Sequence, residues 1–447
     1  MIVERYRAQD VFMTQQRFKF IAGSDFSTSH QIANVNRNKL FPEDRPAHNW
    51  YRFVLSFPPQ LVREYLSRFD LNTGHCVLDP FCGTGTTLVE CKKLGISGLG
   101  FEAHPMAALA SRVKTTWNID AAKLLEAARK TARAVEKELS LNAKTHRTLP
   151  EKAHKLLLKD SISPIPLHKT LTLLDHLRRL AGEPGLDHLR LALATALVKD
   201  IGNLHFGPEV GVGRIKQDAP VVDSWLSNVQ MIASDLEELR DQAANKSDVW
   251  CHDSRNMLAD FGPSSIDAVI TSPPYPNEKD YTRTTRLETV LLGFIADRKD
   301  LRALKEKLIR SNTRNVYKND DDDRWIDSFP EIRSIAEEIE ARRVAQGKTS
   351  GFERQYARVT TLYFGGMARH LADLRNVLRP GARLAYVVGD QASYLRVMIR
   401  TGQLLARIAK SLGYEVEGID LFRTRLSTVT KEQLREEVVV LKWASLD

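Results

Sequence analysis

This sequence predicts an α/β fold: a doubly wound, mostly parallel sheet with a reversed final strand, carrying two largely helical insertions. Three observations lead there. The first is the run Cys76-Val-Leu-Asp-Pro-Phe-Cys-Gly-Thr-Gly-Thr-Thr-Leu-Val-Glu90, a short apolar strand, a glycine-rich turn and a helical pattern that ends near Leu94-Gly95. The second is the strand that follows at once, Ser97 to Phe101, which ends on Glu102 seventeen positions after Gly85 and completes a βαβ opening. The third is the closing hundred residues. They read as a helix from Met367 to Leu378, a turn at Arg379-Pro-Gly381, a strand from Arg383 to Val388, a helix from Met398 to Leu412, and strands from Tyr414 to Phe422 and from Glu437 to Trp443.

Between these blocks the strand signals lapse. Leu124, Ala128, Val135 and Leu139, then Leu173, Leu174, Leu177 and Leu180, then Val229, Ile232, Leu236 and Leu239 recur at helical spacing. A glycine-punctuated loop from Gly202 to Lys216, too broken for a helix or a long strand, interrupts them. Strands return from Asp248 to His252, just before Asp253, and from Ile266 to Thr271, just before Ser272-Pro-Pro-Tyr275. The expected organisation is an N-terminal segment with the first part of the sheet (1–110), a helical insertion (111–246), the central sheet (247–290), a second insertion (291–354) and the remaining sheet (355–447). The four aspartates Asp320 to Asp323 read as a solvated turn rather than a metal site.

A chain of 447 residues with 43% hydrophobic and 27% charged residues is too long for one ordinary domain and has the composition of a soluble globular protein. It has no run of apolar residues long enough to span a membrane, and Met1 to Asp10 lacks a secretory pattern, so a cytoplasmic protein is expected. Cys76, Cys82, Cys91 and Cys251 have no CxxC spacing, which argues against a disulfide framework and against zinc; no metal is expected. The net charge of +9 permits a polyanionic partner. From Lys279 to Lys318 there are eleven basic and five acidic residues, whereas Asn319 to Glu340 holds two basic and nine acidic.

Asp79-Pro80-Phe81-Cys82-Gly83-Thr84-Gly85-Thr86 puts small residues where a ligand approaches backbone amides at a strand's carboxyl end. It is neither a P-loop nor a GxGxxG dinucleotide loop. In Thr271-Ser-Pro-Pro-Tyr275, two prolines straight after an apolar strand cannot continue a ladder and form a rigid turn. Together the two strings resemble the S-adenosylmethionine-dependent DNA amino-methyltransferases, whose cofactor loop reads D-P-F-x-G-x-G-T and whose base-holding turn reads [S/D/N]-P-P-[Y/F/W]. The resemblance covers about half the chain, Phe57 to Met106, Trp250 to Arg286 and Tyr363 to Trp443. Phe57-Pro-Pro-Gln-Leu61 is similar to the family segment that covers the methionine part of the cofactor.

What the resemblance implies is specific. The fold would be a Rossmann-like methyltransferase sheet and the cofactor S-adenosyl-L-methionine, with Asp79 to Thr86 as its loop. Glu102 would accept from the ribose hydroxyls, and Asp253 from the adenine amino group. Ser272, Pro273, Pro274 and Tyr275 would form the catalytic turn: the Ser272 hydroxyl and the Pro273 carbonyl draw the base amine towards a pyramidal geometry, and Tyr275 stacks on the extruded base. Serine at the leading position goes mostly with methylation of cytosine N4; adenine N6 and RNA guanine N2 are the alternatives. C5-cytosine chemistry is set aside, because it uses a thiolate in a Pro-Cys pair and no cysteine here follows a proline.

Double-stranded DNA is the expected partner, with a cognate restriction endonuclease or defence-system component as a second candidate and no membrane. Lys279, Arg283 and Arg286, just after the turn, are placed for phosphates. Arg314 lies in the Asn- and Arg-rich run from Arg310 to Lys318, which also offers Tyr317, and Arg214 and Lys216 follow Phe206 in the glycine-punctuated loop. The insertions depart from common family layouts, so family position does not assign target recognition; the candidates are the insertion 111–246, with its loop around Phe206, Arg214 and Lys216, for target recognition and the insertion 291–354 for DNA contact.

Overall fold

The computed structural model describes residues 28–31, 40–51, 57–141, 146–206, 210–242, 247–257, 264–277, 279–426 and 433–444. The expectations for Met1 to Asp10, for residues 207–209 of the glycine-punctuated loop and for Glu278 lie outside the described residues. The strands are β1 (Thr28–Gln31), β2 (Cys76–Asp79), β3 (Ser97–Phe101), β4 (Leu204–Phe206), β5 (Val210–Val212), β6 (Ser247–Trp250), β7 (Ile266–Thr271), β8 (Leu378–Gly389), β9 (Tyr414–Leu426) and β10 (Gln433–Trp443). The main sheet runs β1-β9-β10-β8-β7-β2-β3-β6, parallel throughout except for β10, which is antiparallel to both β8 and β9. This is the doubly wound sheet with a reversed final strand that the sequence predicts.

The longer helices are α1 (Pro59–Arg68), α2 (Thr86–Lys93), α3 (Pro105–Lys114), α4 (Ala121–Leu141), α5 (Pro164–Arg178), α6 (Leu186–Ala196), α7 (Val221–Glu238), α8 (Arg286–Leu291), α9 (Arg298–Glu306), α10 (Pro330–Ala345), α11 (Tyr356–Leu374) and α12 (Thr401–Ser411). Successive residues of a strand face opposite ways, which builds the two cores of the sheet. Val77, Ala268, Ile270, Ala385 and Val387 meet Leu61, Val62, Tyr65 and Leu66 of α1 on one face. Leu78, Val269, Leu384, Tyr386 and Val388 meet Phe364, Met367 and Leu371 of α11 and Leu405 and Ile408 of α12 on the other. Helices α4 to α7 bury their apolar stripes in a third core around Trp225, whose indole N–H donates to the Leu189 carbonyl at 2.9 Å.

Several expectations need correction. The helix expected from Met367 to Leu378 begins eleven residues earlier, at Tyr356, and ends at Leu374. Gly365 and Gly366 sit inside this helix, where the Asp322 backbone lies against the first and the Ile309 and Asp322 side chains against the second. The turn at Arg379-Pro-Gly381 is a bulge within β8. Pairing with β7 jumps from Ile266 opposite Leu378 to Ala268 opposite Arg383, and Gly381 takes φ +85°. The glycine-punctuated loop holds a short antiparallel hairpin, β4 with β5. Strand β1 was not anticipated, since Thr-Ser-His-Gln has no apolar pattern and is ordered by pairing with β9.

The four aspartates are a solvated turn only in part: Asp321 is exposed, whereas Asp322 is buried. Asp320 pairs with Arg310 at 2.7 Å, Asp321 with Arg324, and buried Asp322 with Arg255 and, at 3.2 Å, with Arg369. Their cationic partners, ten to sixty-seven positions away for Asp320 and Asp322, make burial tolerable.

Candidate active site

Strand order reverses between β2 and β7: the chain continues from β2 to β3 on one side and from β7 to β8 on the other. In such sheets a crevice opens beyond the carboxyl ends of the two strands. Register places those ends together, with Val77 opposite Ala268 and Leu78 opposite Val269, so Asp79 and Thr271 finish side by side. The Thr271 hydroxyl donates to Asp79 Oδ1 at 2.6 Å, and the Phe81 amide donates to the same oxygen at 3.2 Å. One carboxylate thereby ties two segments that lie 192 positions apart. Burial raises the Asp79 pKa to about 6 against the pull of these donors.

Beyond Asp79 the chain turns sharply. Cys82 N–H donates to the Phe101 carbonyl at 2.9 Å and Gly85 N–H to the Cys82 carbonyl at 2.7 Å. Gly83 and Gly85 take φ +53° and +89°, where a side chain is strained, and a Cβ on Gly85 would lie 2.6 Å from Ser111 Oγ. The Cys82 thiol is buried against Ser111 Oγ at 3.5 Å, and burial raises its pKa well above the ordinary value, so it is an unreactive packing group. Helix α2 begins immediately with no side-chain cap, which leaves its first-turn amides to a ligand or water. Glu102 closes the turn from the neighbouring strand: its two oxygens accept from Gly83 N–H at 2.9 Å and His104 N–H at 2.7 Å. Burial pushes its pKa up to about 7.

A cavity of about 1090 Å³ lies over these strand ends. Pro80, Phe81, Cys82, Gly83, Thr84, Thr86 and Glu102 line it, and so do Ser272, Pro273, Pro274 and Tyr275. The volume is at the top of the roughly 300–1,000 Å³ range of small-molecule pockets, which leaves room for a cofactor and a second small group together. The Ser272 hydroxyl donates to the Val387 carbonyl of β8 at 3.2 Å, so towards an incoming amine it acts as an acceptor. The Tyr275 ring lies against the end of β8, where a Cβ on Gly389 would come within 2.9 Å of its Cε2. Asp79 and Gly85 support this wall without lining it.

The remaining candidates are dispersed. Lys279 lines the cavity and is exposed; burial of its stem, with Arg425 nearby, lowers its pKa. Arg283 lies in the short helical turn Tyr281–Thr284. Arg286 turns inward and donates to the Thr282 carbonyl at 2.8 Å and the Thr282 hydroxyl at 2.9 Å. Arg314 rests over the Phe352 ring at 5.3 Å, while Arg310, Asn312 and Asn315 of the same run are buried. Arg214 and Lys216 follow the β4–β5 hairpin, away from the cavity wall, and Lys216 Nζ donates to the Asp200 and Gly202 carbonyls at 2.8 and 2.7 Å. The Asp253 carboxylate faces Arg255 at 2.7 Å, whereas its neighbours His252 and Ser254 line the cavity.

Sequence reasoning passed over several wall residues. Buried His104 receives or donates a hydrogen bond with Thr285 Oγ1 at 2.9 Å, and burial lowers its pKa to about 4. Tyr51 donates to Glu288 at 2.5 Å, and burial lifts that carboxyl to about 7. Gln391 and Asn315 complete the list. None of them sits in a motif; His104-Pro105, at the entry to α3, is the one local signal that could have drawn attention. Among the described residues no cluster of three or more His, Cys, Asp or Glu side chains is suited to a metal ion, and no helix is long and apolar enough to cross a membrane.

A family model for the N6/N4 methyltransferases, described as DNA methylase, matches residues 6–111. The chain is 27% identical over 446 residues to type II methyltransferase M.BsoBI of Geobacillus stearothermophilus, covering 90% of this chain and 84% of that protein. It is 24% identical over 447 residues to type II methyltransferase M.AvaI of a Nostoc species, covering 91% and 86%. A 67-residue stretch is 40% identical to type II methyltransferase M.MjaII of Methanocaldococcus jannaschii, covering 15% of this chain and 12% of that protein. Among solved structures, TrmN from Thermus thermophilus overlies 89% of this chain and 52% of its own at a TM-score of 0.31 and 10% identity.

Proposed function

Because this chain belongs to the S-adenosylmethionine-dependent DNA amino-methyltransferase family, we propose that its methyl acceptor is the exocyclic N4 amine of a cytosine flipped out of double-stranded DNA. One observation carries the reading: the Thr271–Asp79 hydrogen bond of 2.6 Å, which draws the glycine turn and the Ser272-Pro-Pro-Tyr275 turn to one cavity. Serine as the leading residue of that turn favours cytosine, by the family resemblance.

The wall suits the cofactor. The uncapped amides at the start of α2, the buried Glu102 and the apolar surface of Pro80, Phe81 and Phe57 offer donors, an acceptor and a lining for a charged, partly apolar nucleoside. S-adenosylmethionine, when bound, supplies an electrophilic sulfonium methyl. The chain's own residues prepare the acceptor. A base amine is a weak nucleophile because its lone pair is spread into the ring. Ser272 Oγ and the Pro273 carbonyl each accept one amine N–H, which pulls the nitrogen towards pyramidal geometry and aims the lone pair along the line of displacement. As the new N–C bond forms and the C–S bond breaks, the nitrogen sheds one proton to solvent. Tyr275 stacks on the extruded ring, a contact worth about 1–3 kcal/mol that offsets part of the unstacking cost.

Lys279 and Arg425, exposed wall residues, supply phosphate contacts at the opening. The setting is the cytoplasm, where methylation would protect DNA from a cognate restriction endonuclease.

The product test is direct. The protein is incubated with cofactor carrying a labelled methyl and, in parallel, with unmethylated DNA or with RNA, and the nucleic acid is digested to nucleosides for mass spectrometry. Label in N4-methylcytosine is the expected result; label only in N6-methyladenine, or only in RNA, overturns the cytosine reading.

Glu102 gives a second expectation. As the ribose acceptor it must be ionised, yet burial holds its pKa near 7, so protons compete with the ligand below that value. Cofactor affinity should therefore rise as pH increases through 7 and level off above it, by roughly tenfold between pH 6 and pH 8. Calorimetric titrations across this range should show the rise in the native protein and a flattened profile in Glu102→Gln. A flat profile in the native protein removes Glu102 from the role.

A further inference from the structure

The cavity wall carries a buried amide donor that has no partner. Gln391 is 4% exposed and lines the cavity, yet among the described residues its Nε2 meets no acceptor. The rest of the residue is held. Its main chain is bridged both ways to Ile399, Gln391 N–H to the Ile399 carbonyl at 3.0 Å and Ile399 N–H to the Gln391 carbonyl at 2.7 Å. The Ser393 hydroxyl donates to Gln391 Oε1 at 3.4 Å, which assigns the oxygen to the protein side and leaves the nitrogen for a ligand. A buried N–H without an acceptor is costly, and in a binding site that cost is recovered when the right ligand arrives.

Its position points to the target base. Strand β8 runs parallel beside β7 with Thr271 opposite Tyr386, so the chain leaving β8 passes alongside the Ser272 turn. Ser272 bonds the Val387 carbonyl, the Tyr275 ring closes on Gly389, and Gln391 follows two residues later.

We infer that Gln391 reads the ring edge of the target base, donating from Nε2 to the acceptors beside the amine held by Ser272 and Pro273. The inference rests on the cytosine reading and deepens it. Cytosine follows its N4 amine with two acceptors, N3 and O2, which suit an amide NH₂. Adenine offers N1 and then a C–H. Thymine and guanine present an N–H where cytosine presents N3, so the amide would meet a donor. Gln391 thus adds selection on the ring to the selection for an amine exerted by the Ser272 turn.

The test uses the full chain, S-adenosylmethionine and unmethylated genomic DNA, with N4-methylcytosine formation and cofactor affinity read in parallel. Gln391→Ala should lower methyl transfer roughly tenfold through loss of the donor. Gln391→Glu keeps the shape but sets a carboxylate oxygen against ring acceptors, and should lower transfer roughly a hundredfold. Cofactor affinity should stay within about twofold in both variants. A merely structural glutamine would tolerate the isosteric glutamate better than alanine. Gln391→Glu as active as the native protein, or cofactor affinity falling in step with activity, overturns the inference. Native protein that forms only N6-methyladenine overturns the cytosine reading beneath it, and that result is read before any variant is made.

Discussion

Ser272→Ala is expected to lower methyl transfer to DNA by about 10²–10³-fold, the usual cost of removing one preorganised polar group aimed at the reacting centre. The reason is local. With its proton committed to the Val387 carbonyl at 3.2 Å, the Ser272 oxygen faces an amine as an acceptor, and a methyl group cannot take that role. The effect should fall on kcat, because the hydrogen bond strengthens as the nitrogen becomes pyramidal. Cofactor affinity should change by less than about twofold, since the Ser272 side chain takes no part in the glycine turn or the Glu102 network. Single-turnover rates and cofactor titration on the same preparation check both parts. Equal loss of cofactor affinity and rate would show that the turn only braces the sheet.

Gly365→Ala should destabilise the fold by about 4 kcal/mol. A Cβ at this position in α11 would stand 1.9 Å from the Asp322 carbonyl oxygen and 2.4 Å from its carbon. These are backbone atoms, so the whole segment must retreat. Overpacking of this kind costs about 1–3 kcal/mol, and breaking a buried ion pair about 3–5 kcal/mol; the two overlap here rather than add. The displaced residue, Asp322, is the partner of Arg255, which also holds Asp253 beside the cavity. Gly211→Ala, where nothing lies within 4 Å, is the control and should shift stability by less than about 0.5 kcal/mol. Urea denaturation of the two variants decides; equal midpoints would show that α11 and the aspartate turn are not in forced contact.

These two sites also show what could be read before any coordinates. Strands β2, β3 and β7 end where the chemistry changes, at Asp79-Pro80, at Phe101-Glu102 and at Thr271-Ser-Pro-Pro, so their limits were visible in the pattern. The loops that follow are the ones that line the cavity. The start of α11 at Tyr356, eleven residues before the expected Met367, was not legible: Gly365-Gly366 is a weak helix signal, and its missing side chains admit a neighbouring backbone. Asp320 and Asp322 misled because their cationic partners, Arg310 for the first and Arg255 and Arg369 for the second, are brought to them only by folding. Arg286 looked like a phosphate ligand by composition and spends donors on Thr282 of the preceding turn. Gln391 carried no signal, since its importance lies in what it fails to bond.

A crystal structure with a non-reactive cofactor analogue and duplex DNA carrying the methylation site tests the central claim most directly. The exocyclic nitrogen of a flipped cytosine is expected within hydrogen-bond reach of Ser272 Oγ and the Pro273 carbonyl, about 3–3.5 Å from the transferable carbon. A cofactor seated on the glycine turn with the base amine directed away from Ser272, or the two ligands in separate cavities, would contradict it.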